Sequence, residues 1–177
     1  MAAKTMTLRG TLSAADASLS DNNNIFTYES PQLTTAWIVK EFLFWPAGAR
    51  ANTGATEGQF TVISTLATDT IGGQTFNSIG TVADSRNIAW LQRGFNMRNE
   101  GSDDFLAAPT GMESNYGYVD PDHVVNRQLF INFTTNTDSS TKPIREWNYI
   151  VRLEKITITE NQAVLAMIKG VAQNIDS

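Results

Sequence analysis

The chain has 177 residues, enough for one domain with a sizeable core. Hydrophobic residues make up 41% and charged residues 18%, the composition of a folded chain and not of a disordered one. A formal net charge of −5 sets the chain as a whole against nucleic acid and anionic membrane and leaves room only for a local basic patch, while the absence of cysteine excludes disulfides and thiolate metal sites.

The opening "MAAKTMTLRG" has no apolar h-region, which argues against a secretory signal. Residues 1–22 read as an N-terminal arm or first strand, with Met6 and Leu8 alternating against Thr5, Thr7 and Arg9. "NIFTYE" (24–29) is a short strand candidate after the "DNNN" tract. "TTAWIVKEFLFW" (34–45) is aromatic and β-branched and stops at Pro46. The longest apolar run lies here; Lys40 and Glu41 interrupt it, and it falls short of the roughly 20 residues of a membrane span. "GQFTVISTL" (58–66) alternates Phe60 and Val62 against Thr61 and Thr65. The glycines of "IGGQTF" mark a turn before a weaker strand, "QTFNSIGTV" (74–82). "RNIAWLQRGF" (86–95) follows.

Residues 96–119 are polar, aromatic-dotted and without clear period, and read as a long loop of the kind that carries contacts. "HVVNRQLFINFT" (123–134) sets Val125, Leu129, Ile131 and Phe133 on one face, with Arg127 interrupting it. "EWNYIVRLEKITI" (146–158) is the strongest strand. Trp147, Tyr149, Val151 and Leu153 share a face, then the apolar phase flips to Ile156 and Ile158. Such a flip signals a β-bulge near Glu154–Lys155 or a change of packing environment. A helix is predicted over 160–170. Thr159 and Gln162 form its capping box, and Val164, Ile168 and Val171 form an apolar stripe flanked by Leu165 and Met167. A helix of that length is marginal alone and must dock, on its own sandwich or on another subunit. The expected fold is all-β: an antiparallel β-sandwich of about eight strands, jelly-roll in type, with a short C-terminal helix.

Candidate chemistry is sparse. Asp120, Asp122 and the single histidine, His123, are candidate metal ligands; the competing reading is an Asp-Pro turn entering a strand. Asp103, Asp104 and Glu113 add acids whose spacing the sequence leaves open. No phosphate loop, nucleophile elbow or zinc motif appears. Arg86, Arg93 and Arg98 interleave with Trp90 and Phe95. This pattern fits single-stranded nucleic acid or, given the net charge, a protein interface. The interface candidates are therefore Trp90, Arg93, Phe95 and Arg98, together with Val164, Leu165, Ile168 and Val171. Arg86, Arg93 and Arg98 are the candidate nucleic-acid set. Trp37, Trp45 and Trp147 are assigned to the core or its rim.

About eight strands in one domain, Thr/Asn-rich turns, long loops and no cysteine give a pattern that resembles small viral capsid proteins of the single jelly-roll type. The resemblance implies a virion shell subunit assembled in the host cell interior. It would be a large homo-oligomer acting through subunit contacts, with no enzymatic role and no cofactor. There is one departure: the first thirty residues hold only Lys4 and Arg9, so genome packaging by a basic arm, common in such proteins, is not expected. Two other readings compete. One is a carbohydrate-binding β-sandwich. The other is a cupin-like metal-dependent enzyme, disfavoured by the single histidine.

Overall fold

Two antiparallel sheets face each other in the computed structural model. It describes residues 4–13, 19–29, 34–47, 58–72, 79, 81–99, 105–109, 116–135 and 146–171. The strands are β1 (Thr5–Ser13), β2 (Leu19–Thr27), β3 (Thr35–Pro46), β4 (Gly58–Ala67), β5 (Asn87–Asn99), β6 (Phe105–Pro109), β7 (Tyr116–Val119), β8 (Val124–Val125), β9 (Gln128–Thr135) and β10 (Glu146–Thr157), followed by α1 (Glu160–Val171). One sheet runs β1-β10-β3-β8. The other runs β2-β9-β4-β5-β6, with β7 also on β5. With β6 and β7 set aside, every connection except β4–β5 crosses between the sheets. That is the strand order of a jelly roll.

The core is the aromatic and aliphatic face of both sheets. Phe44 and Trp147 stack at 5.4 Å, and Phe133 reaches across from the other sheet to 5.1 Å from Phe44. Val39, Val62, Leu66, Leu129, Ile131, Val151 and Leu153 fill the space around them. Trp37 and Trp147 thus belong to the core, while Trp45 is exposed.

The phase flip on β10 has a clear cause. The β10–β3 ladder shifts register between Arg152 and Leu153, which pair with Glu41 and Val39. The extra residue is Lys40 on β3, so β10 itself is unbulged there and pairs without a break with β1. On β3 the bulge lets Phe42 and Phe44 share the core with Val39 and Trp37 despite their opposite parity. It sends Lys40 outward to Glu154 at 3.1 Å. On β10, Ile156 simply lies on the other face. There it joins Ala36, Val124, Ile158 and Ala163 in a second small cluster on the outside of the four-stranded sheet. Of the two explanations for the flip, a change of packing environment is the correct one.

Other elements depart from expectation. Residues 96–119 are not one long loop: Asn96–Asn99 extend β5, and β6 and β7 are short strands paired to it. Their backbone hydrogen bonds make the pairing, while their apolar pattern is too brief to announce it. The acids Asp103, Asp104 and Glu113 lie outside the described residues. The expected strand at 74–82 is not present where described: Ile79 is a buried turn residue, and Thr81 and Val82 are irregular. Arg127 interrupts its face because the chain bends at Asn126–Arg127, dividing β8 from β9 and moving the chain between sheets.

The "DNNN" tract lies within β2. Asn22 adopts a left-handed φ of 52°, and its N–H donates to Asn132 Oδ1 at 2.6 Å. Its side chain donates to the Ile71 carbonyl at 3.3 Å and accepts from the Ile71 N–H at 2.9 Å. The segment after β4 is thereby pinned to the outer face of the six-stranded sheet, where Thr65, Phe130, Asn132 and Thr134 are buried.

Candidate assembly interface

The geometry of α1 starts at its cap. The Thr159 N–H donates to Gln162 Oε1 at 2.9 Å, and the Gln162 N–H donates to Thr159 Oγ1 at 3.3 Å. The Ile158 N–H donates to the Thr34 carbonyl at 2.9 Å, which fixes the entry of the helix over the sheet. The helix then meets its own sandwich through its small residues. Ala163 is buried against Ile158 and Ala36, and Ala166 is half-buried. Alanines allow the helix axis to come close to the sheet. The same contact turns the larger residues away, because positions one apart on a helix point about 100° apart. Val164, Leu165 and Ile168 are left 50%, 59% and 54% exposed, with Met167 beside them. The side chain of Val171 lies outside the described residues, although its backbone is helical.

Docking on the sandwich and exposure of the stripe therefore occur together, on different sides of one helix. Two hollows flank its foot. One, of about 270 Å³, is lined by Thr68, Asp69, His123, Arg127 and Met167 among others; the second, of about 230 Å³, by Asp122, His123, Val124, Gln162, Leu165 and Ala166. An apolar ridge thus stands beside a recess of side-chain size.

The basic stretch is dispersed. Trp90 lies on the outer face of β5, where its Nε1 donates to the Thr81 carbonyl at 3.3 Å and its ring stacks on Tyr118. Arg93 has the parity of the buried Leu91 and pairs with the core residue Val62, so it leaves β5 on the opposite side from Trp90. Phe95 and Arg98 are backbone-paired with Phe60 and Leu106, and their side chains lie outside the described residues. Arg86 corrects the nucleic-acid reading. Arg86 is 7% exposed, and its guanidinium is committed to protein. Nε and Nη2 donate to the Asp84 carboxylate, the latter at 2.7 Å, and Nη1 donates to the Thr70 carbonyl at 2.9 Å. Burial pushes the Asp84 carboxyl up, but the hydrogen bonds and charge of Arg86 outweigh it and hold Asp84 below its ordinary value. The bond to Asp84 in turn raises Arg86. This pair staples the β4–β5 connection and offers no free charge to a phosphate.

Asp120, Asp122 and His123 form a turn. Asp120 Oδ1 accepts the Asp122 N–H at 3.0 Å, the Asp120 N–H donates to the Ile88 carbonyl, and His123 Nδ1 stands 4.0 Å from Asp120 Oδ2. Among the described residues no three His, Asp or Glu side chains converge as a metal site, and no helix is long and apolar enough to cross a membrane.

Sequence reasoning passed over two features. Asn22 was hidden in a polar tract, and its signal emerges only from the fold. Tyr116 and Tyr118 were legible as an alternating Tyr-Gly-Tyr and lie exposed on β7. Compared with known proteins, the chain matches no protein-family model and no curated protein at a significant level.

Proposed function

We propose that this chain is a self-assembling structural protein, a capsid-type shell subunit acting through subunit–subunit contacts. The observation that carries the reading is the apolar ridge of Val164, Leu165 and Ile168. It is exposed on a helix that already docks on its own sandwich through Ala163. Contiguous apolar surface of this kind marks an interaction site. The recess beside the ridge lets one face act as both knob and hole, the condition for a two-fold, self-complementary contact between copies. The jelly-roll strand order is a fold that shell proteins use, among others. Mass measurement and electron microscopy of the purified chain test the reading: closed particles or discrete oligomers are expected. A monomer at high concentration, under all ionic conditions tried, would overturn it.

A further inference from the structure

The outer face of the six-stranded sheet carries an aromatic surface that core packing does not explain. Trp90 and Gln92 on β5 and Tyr116 and Tyr118 on β7 share this face, with Trp90 paired to Tyr118 and Gln92 to Tyr116. Between them Leu91 and Gly117 face inward; a Cβ at Gly117 would lie 3.8 Å from Leu91 Cδ1. The indole of Trp90 is held in place. Its Nε1 is bonded to the Thr81 carbonyl, and the Tyr118 ring lies over it at 6.0 Å and 28°. Only Val119 of β7 packs against the core cluster, while Tyr116 and Tyr118 are 51% and 56% exposed. About half of each tyrosine stays exposed after folding, and that exposed half is what the surface presents.

The four side chains carry no formal charge. We propose that this surface is a platform for a neutral glycan. A pyranose ring has one face of C–H groups with partial positive charge, which the negative face of an aromatic ring attracts. Its hydroxyls reach outward at the rim, where the two phenolic hydroxyls and the Gln92 amide both donate and accept hydrogen bonds. Successive outward positions on a strand are about 6.6 Å apart, so Tyr116 and Tyr118 engage neighbouring parts of one oligosaccharide and not two separate ligands. A polyanion is the wrong ligand for uncharged side chains on a chain of net charge −5. The platform lies on a different sheet from α1 and rests on observations separate from the assembly reading.

The test uses the full chain on an array of neutral oligosaccharides, followed by titration of the best-bound one with tryptophan fluorescence as readout. Saturable binding with a change in Trp emission is expected. Tyr118→Ala should weaken it roughly tenfold, and Tyr118→Phe, which keeps the ring, should weaken it much less. Oligomeric mass should stay at the wild-type value and melting should remain cooperative, lowered by no more than a few degrees for the lost Trp90 contact. Absence of binding to every neutral oligosaccharide at about 1 mM overturns the proposal. So does binding that survives both Tyr116→Ala and Tyr118→Ala. If these substitutions instead change the oligomeric mass, the surface is a subunit contact and the glycan assignment is wrong.

Discussion

Val164→Asp with Ile168→Asp separates the two roles of α1. In the isolated chain both residues are about half exposed. Full burial of such side chains is worth about 1.5–3 kcal/mol each, so half burial puts about 1 kcal/mol at risk per residue. The double substitution then costs the fold about 2 kcal/mol, tolerable against the roughly 5–15 kcal/mol of a typical domain. In a two-fold contact that covers the ridge, four carboxylates enter the interface, two from each copy. Even at about 2 kcal/mol for each polar group buried without a partner, the loss is roughly 8 kcal/mol, the whole of a micromolar affinity. Ala163→Asp is the counterpart: it places a carboxylate against Ile158 and Ala36 and should detach α1 from the sheet. Light scattering coupled to size exclusion, with circular dichroism melts, reads both outcomes. The ridge variant should be a folded monomer, and the Ala163 variant should lose helix signal and stability. Wild-type assembly in the ridge variant, or its failure to fold, would refute the reasoning.

Three further outcomes follow from the packing. Arg86→Met should destabilise the fold by about 2–3 kcal/mol at pH 7, since it leaves the Asp84 carboxylate unpaired in a mostly buried setting. Because the folded value of Asp84 is depressed, the wild-type pair contributes above the ordinary carboxylate value of 3.8 and fades as pH falls through the lower folded value; urea melts across pH 2–7 should show the gap between variant and wild type closing there. Gly10→Ala should cost about 1–3 kcal/mol, as its Cβ would sit 2.7 Å from Tyr149 Oη and the ring must move; Tyr149→Ala should relieve much of that cost in a double-mutant cycle. Thr159→Ala removes a cap worth about 1 kcal/mol and should speed amide exchange in the first turn of α1 while leaving β10 protected.

How much was legible depends on how local the cause was. The all-β sandwich, the long β10 and the capped helix were readable because period-2 alternation and the Thr159–Gln162 pair are written within a few residues of each other. Strands β6 and β7 were not, since an edge strand of four or five residues depends on its partner's backbone for recognition. The phase flip on β10 was visible in sequence but its cause was not: Ile156 and Ile158 join a cluster on the outer face of the sheet, while the bulge lies on β3 at Lys40, where no phase change on β10 reports it. The Arg-aromatic stretch looked like one patch because sequence proximity ignores alternation; the pleat sends Trp90 and Arg93 to opposite faces.

From sequence alone, the periodicities determine the long strands, and the local pattern determines the cap and the apolar stripe of the helix. Only the tertiary structure decides which side of α1 is buried. The large stripe looked like the docking face, yet the two alanines allow the closest approach to the sheet, so Ala163 went down and Val164, Leu165 and Ile168 stayed out. Hydrophobicity sets how strongly a face seeks cover, but steric fit between helix and sheet sets which face finds it.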